Sequence, residues 1–94
     1  MTGAAQTQNF TAEKVIEVVR DLARAGDLPN HLIDGDIKES DTVETLGIDS
    51  LGGAFLVERF EDTSGVLLPD DFVELQFSIA EIASRLNRIL QETK

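Results

Sequence analysis

The chain has 94 residues, 18 acidic and 8 basic, with a net charge of −10 and no cysteine. This length predicts one domain near the low end of what buries a self-sufficient core, and the apolar fraction of 41% is high enough for folding. The acidity argues against nucleic-acid binding because few side chains could neutralise phosphates, and the lack of cysteine excludes disulfides, thiolate zinc sites and a cysteine nucleophile.

The first nine residues are polar and small, without the basic and apolar regions of a signal peptide. No later stretch is long and apolar enough to cross a bilayer. We therefore expect residues 1–10 to form a flexible tail and residues 11–94 to form a single domain. We also expect the protein to be cytoplasmic, monomeric and not membrane-spanning.

The first predicted helix runs from about Ala12 to Ala25. Thr11 is a good N-cap residue, and Gly26 is a natural end point. Between them, apolar residues recur at intervals of three and four, which is typical of one buried helical face: Val15, Val18, Val19 and Leu22.

Residues 26–49 have no sustained period and are predicted to form a long loop between the first two helices, held against the core by scattered apolar residues. The only histidine, His31, is interpreted as a surface residue, since no Ser-His-Asp set can be built around it. Asp34 and Asp36 have EF-hand spacing, but Glu39 and Thr45 replace the glycine and glutamate that such a loop needs. A specific metal site is not expected, while a weak effect of divalent ions on clustered carboxylates stays open.

The sequence L-G-I-D-S-L at Leu46–Leu51 precedes the second predicted helix, which ends at Gly65. Asp49 can cap this helix and would leave Ser50 exposed in the first turn. A helical wheel separates an apolar face (Gly53, Leu56, Val57, Phe60, Ser64) from a mixed apolar and acidic face (Leu51, Phe55, Glu58, Asp62). Phe55 is either the margin of the core or an apolar contact for a partner.

Pro69 opens a short turn or helix that extends to about Leu75, and Ser78 and Glu81 form a capping box for a final helix that reaches Leu90. No segment alternates as a strand would. The prediction is an all-α bundle of three main helices and one short helix.

Most of the negative charge lies around Ser50. Residues 39–74 contain ten acidic residues and one basic residue, a net charge of −9. Such a field favours encounter with basic partners, although an ordinary solvated face is the alternative. No carboxylate pair has the enclosing apolar setting that acid–base catalysis needs.

Three motifs make the chain resemble the acyl carrier proteins from about residue 11 to residue 90: G-I-D-S-L at 47–51, G-V-L-L-P-D-D at 65–71 and S-I-A-E-I at 78–82. The resemblance implies a four-helix bundle that is not itself an enzyme. It implies that Ser50 is esterified to 4′-phosphopantetheine, which a separate transferase takes from coenzyme A. The thiol of that cofactor would hold acyl groups as thioesters for partner enzymes of fatty-acid, polyketide or specialised lipid synthesis.

The resemblance also implies roles for other residues. Those expected to meet the basic surfaces of the transferase and of acyl-transferring synthases are Asp49, Leu51, Glu61 and Asp62, and the helix face adds Phe55 and Glu58. Those expected to shelter an acyl chain are Leu56, Val57, Phe60 and Leu68.

Three residues depart from the family pattern. Gly52 and Phe55 stand where fatty-acid carriers have acids, and Gly52 together with Gly53 should weaken the first helical turn. We interpret these departures as marks of a specialised carrier, with sequence drift as the alternative. A peptidyl or aminoacyl carrier fits less well because those have a glycine pair before the serine. The alternative from another functional class is an acidic helical module that binds other proteins, with or without a response to divalent ions.

Overall fold

The computed structural model describes residues 10–69 and 71–92. These residues form three helices, α1 (Ala12–Arg24), α2 (Ser50–Ser64) and α3 (Ile79–Glu92), and a short 3₁₀ helix at Asn30–Leu32 between α1 and α2. The described residues contain no β-strand, so the prediction of an all-helical chain is confirmed.

The three helices begin where local signals predict, and α3 extends to Glu92, two residues past its predicted end at Leu90. The side chain of Thr11 accepts a hydrogen bond from the amide of Lys14 at the start of α1. At the start of α3, the Ser78 amide donates to Oε1 of Glu81 at 2.8 Å, and the Glu81 amide donates to Oγ of Ser78 at 3.1 Å. Gly65 ends α2 in the left-handed conformation, with φ of 77°.

Residues 71–76 form turns and bends, so the structure does not confirm a short helix at Pro69–Leu75. The carbonyl oxygens of Leu75 and Phe77 accept hydrogen bonds, at 2.9 and 3.0 Å, from the backbone amides of residues 44 and 43. Along the segment itself, the backbone bonds are single turns that span three residues, from the amides of Phe72 and Phe77 to the carbonyls of Pro69 and Glu74 at 3.0 Å. The described residues of this segment therefore lack the series of bonds four residues apart that defines an α-helix.

The same loop is also attached to α1. The Nη1 atom of Arg20 donates hydrogen bonds to the carbonyl oxygens of Leu32 and Ile33 at 3.2 Å and of Gly35 at 3.0 Å. A planar guanidinium at this point satisfies carbonyl groups that a turn leaves without backbone partners. The loop that leads to Ser50 is therefore anchored to α1 on one side and to residues 75–80 on the other.

The core lies between the three helices and extends to Phe10, which is only 4% exposed. The ring of Phe10 packs edge-on against that of Phe60, with centroids 6.2 Å apart. Its backbone amide donates to Oδ1 of Asn87 at 2.7 Å, and its carbonyl accepts from Nδ2 of Asn87 at 2.9 Å. Phe10 is therefore part of the folded domain, which corrects its assignment to a tail at residues 1–10; residues 1–9 lie outside the described part of the chain.

Candidate functional site

Ser50 is the first residue of α2 and is exposed. The carboxylate of Asp49 accepts a hydrogen bond from the Gly52 amide at 2.9 Å, and this cap fixes where the helix starts. Among the described residues, the Ser50 hydroxyl has no hydrogen-bond partner. An exposed hydroxyl thus stands at the positive end of the α2 macrodipole.

A tight turn brings the chain to Ser50. Gly47 has a φ of 82°, which favours glycine because other residues are strained there. The amides of Gly47 and Ile48 donate to the carbonyls of Glu44 and Val43 at 3.0 and 3.1 Å. Ile48 is consequently buried, while Leu51, three residues later, is 64% exposed.

Gly52 allows α2 to pack closely on the preceding loop. A Cβ atom added at Gly52 would lie 2.8 Å from Cγ2 of Ile48 and 2.8 Å from Cδ2 of Leu28. Both distances are well below the roughly 3.5–4.0 Å at which carbon atoms attract each other. The sequence indicated only that this glycine weakens a helical turn. The structure shows in addition that no larger residue fits at this position unless Ile48 and Leu28 move.

An open groove of about 350 Å³ lies beside Ser50 and is called the Ser50 groove below. One wall is the first turn of α2, with Ser50, Gly53 and Ala54, and the other wall is residues 73–76. A Cβ atom added at Gly53 would lie 3.7 Å from the carbonyl oxygen of Val73, an ordinary contact distance. Sequence reasoning missed residues 73–76 because nothing local shows that they pack against a helix that starts more than twenty residues earlier.

A second groove of about 430 Å³, the α2 groove, runs along the same helix. Its lining residues are Ala54, Phe55, Val57, Glu58 and Glu61. Ala54 lines both grooves, so they meet on the surface of α2.

The residues predicted to contact partner enzymes do not all lie in one groove. Phe55, Glu58 and Glu61 line the α2 groove, and Leu51 and Asp62 are exposed. Phe55 is half-buried and packs against the core, as the first of its two interpretations expected, while contact with a partner stays a prediction.

Glu61 has a structural contact that the sequence did not indicate. Its Oε2 atom accepts a hydrogen bond from the Leu68 amide at 2.8 Å. The side chain is half-buried and ties the turn that follows α2 back onto the helix. One oxygen of this carboxylate is therefore engaged within the chain.

The four residues predicted to shelter an acyl chain, Leu56, Val57, Phe60 and Leu68, are all buried in the common core. Val57 also lines the α2 groove. These side chains belong to the same hydrophobic cluster as residues of α1, α3 and the loop, and so contribute to stability whatever else they do.

His31 is exposed, and its Nε2 atom lies 3.6 Å from where a Cβ atom of Gly47 would stand. Within residues 10–69 and 71–92, no group of three or more histidines or carboxylates is arranged to hold a metal ion. In the same part of the chain, none of the helices has the length and apolar character needed to cross a membrane.

No family model, curated protein or solved structure matches this chain.

Proposed function

We propose that this protein is an acyl carrier protein whose 4′-phosphopantetheine arm is attached to Ser50. The observation that carries the proposal is the exposed hydroxyl of Ser50, unpartnered among the described residues, at the first position of α2 and beside an open groove. A separate phosphopantetheinyl transferase adds the arm, and the carrier itself is not an enzyme. The arm supplies a thiol that holds acyl groups as thioesters, a chemistry for which the chain has no side chain of its own.

The residues around Ser50 suit a phosphodiester. The free amides and the macrodipole at the start of a helix favour a negatively charged group, by about 0.3–1 kcal/mol at an exposed site. Asp49 lies next to Ser50, but its carboxylate is held by the Gly52 amide. This contact gives the aspartate a capping role besides any contact with a partner.

The partners that fit are enzymes with basic surfaces, namely the transferase and acyl-transferring synthases. Leu51, Glu58 and Asp62 are exposed on α2, and residues 39–74 carry the net charge of −9 derived above. The rate of association with such partners should fall as ionic strength rises, because exposed charges are screened beyond about 10 Å at 0.1 M salt. Phe55 in the α2 groove supports a specialised carrier with its own synthases in fatty-acid, polyketide or lipid synthesis, working in the cytoplasm as a monomer.

The deciding experiment is the intact mass after incubation with coenzyme A and a promiscuous phosphopantetheinyl transferase. The wild-type chain should gain one phosphopantetheine, and Ser50→Ala should gain none. Ser40→Ala, which removes another exposed serine hydroxyl, should be modified like the wild type. An unmodified wild-type chain, in a reaction that loads a known carrier, would refute the proposal and favour the acidic interaction module.

A further inference from the structure

Arg85 of α3 lies over the rings of two phenylalanines that precede this helix. Its Cζ atom is 4.7 Å from the ring centroid of Phe77 and 5.7 Å from that of Phe72. Both distances are within the roughly 6 Å at which a guanidinium is attracted to an aromatic face. The attraction comes from the charge of the group and does not require its N–H donors, so the side chain is held in place while its donors stay available.

These donors have no acceptor among the residues that the structure describes. Arg85 and Arg88 are exposed, and neither has a hydrogen bond or an ion pair in that part of the chain. Glu81 precedes Arg85 by four residues, the spacing of an ion pair on a helix. Its Oε1 atom, however, accepts a hydrogen bond from the Ser78 amide at 2.8 Å. The capping box thus directs this carboxylate to the start of α3 instead of to the arginine.

Arg85 and Arg88 are neighbours on the surface of α3. Residues three apart on a helix have Cβ atoms about 5–6 Å apart, and like charges at such spacings destabilise the helix. A carboxylate that binds between the two guanidinium groups would offset their repulsion. Each guanidinium can hold a carboxylate by two parallel N–H···O bonds, and an arginine already packed on aromatic rings loses less side-chain freedom when it binds.

The charge of the rest of the chain limits what can bind to these arginines. A polyanion, such as a nucleic acid or an anionic membrane, would also meet the field of residues 39–74, whose net charge is −9. A few carboxylates on a protein need to approach only α3. We propose that Arg85 and Arg88 form a docking site for neighbouring carboxylates on an acidic segment of a partner protein. The site is separate from the Ser50 groove, which neither arginine lines, and it does not depend on an arm at Ser50.

The test is a titration of isotope-labelled full-length protein, at low ionic strength, with a blocked peptide that contains two adjacent glutamates. We expect the side-chain Nε–H signals of Arg85 and Arg88 to shift, and the same peptide with glutamines to cause no shift. Arg24 is the internal reference, because its guanidinium is already bonded to Asp21 at 2.6 Å. Its signal should not move.

Substitutions separate the site from a general effect of charge. Arg85→Gln should remove the response of Arg88, whereas Arg24→Gln, which changes the net charge by the same amount, should leave it intact. Phe77→Leu should weaken the response although both arginines remain, because the aromatic contact at 4.7 Å is lost. If this variant does not fold by circular dichroism, Arg85→Lys provides the test, since it keeps the charge and loses the planar donor group.

Several results would overturn the proposal. One is the absence of a shift at Arg85 and Arg88, and another is an equal shift at Arg24. An equal response to the glutamine peptide, or an unchanged response of Arg88 in the Arg85→Gln variant, would do the same. Binding of single-stranded DNA or of anionic phospholipid vesicles that requires both arginines would assign the site to a polyanion, and would thereby overturn the choice of an acidic protein segment.

Discussion

Replacing Gly52 with alanine tests whether close packing, rather than helix propensity, determines the residue at this position. The added methyl would lie 2.8 Å from Ile48 and from Leu28, about 0.7 Å inside the shortest attractive carbon–carbon separation of roughly 3.5 Å. Both neighbours are buried, at 2% and 6% exposure, so relief requires movement within the core. Overpacking of this kind costs about 1–3 kcal/mol.

Helix propensity acts in the opposite direction. Alanine is favoured over glycine by about 1 kcal/mol in a helix interior and by less in a first turn. We therefore expect Gly52→Ala to lower the free energy of unfolding by about 1–2 kcal/mol. For a domain of this size, that corresponds to a Tm lower by roughly 4–15 °C.

Gly53→Ala is the matched control because it makes the same change one residue later. Its methyl would meet only Val73, at 3.7 and 3.8 Å, so the propensity gain of about 0.4–1 kcal/mol should appear as increased stability. Urea unfolding followed by circular dichroism measures both variants, with unchanged slopes required for the comparison. If Gly52→Ala were as stable as Gly53→Ala, the argument from packing would be refuted.

Three further substitutions test contacts that position the site. Asp49→Ala should destabilise the protein by about 0.5–2 kcal/mol through loss of the cap, whereas Asp49→Asn should retain most of the stability in urea unfolding; equal losses would argue against a capping role. Glu61→Ala should cost about 1–2 kcal/mol, because a partly exposed charged acceptor is removed from the Leu68 amide; amide exchange at Leu68 should accelerate, and unchanged exchange would contradict the assignment. Arg20→Lys should cost about 1–2 kcal/mol, since the ammonium nitrogen of lysine lies one bond nearer the backbone than Nη1, the atom that donates to all three loop carbonyls; a thermal melt that matches the wild type would show that these bonds contribute little.

Local sequence patterns predicted the helices well because the interactions responsible span only a few residues. The cap at Asp49 reaches Gly52, three residues away, and the box of Ser78 and Glu81 spans the same distance. The apolar periodicity of the first helix likewise predicted which face of the helix is buried. These signals were enough to place Ser50 at a helix start.

The segment at residues 71–76 shows where such patterns stop being sufficient. Proline and two aspartates at 69–71 are compatible with a helix start, but the described residues there form only single turns, and the carbonyls of Leu75 and Phe77 hold the segment against the loop before α2. That contact depends on a partner segment about thirty residues away. Phe10 is a similar case, since its partner Asn87 is 77 residues distant.

Sequence patterns were sufficient to predict three helices, their caps, and an exposed serine at the start of the second one within a strongly acidic region. The close approach of Gly52 to Leu28 and Ile48 and the groove that residues 73–76 form with Ser50 became apparent only in the folded chain. The physical reason is distance along the chain. Capping and periodicity are encoded within a turn or two, whereas the space around Ser50 depends on how distant segments pack against each other.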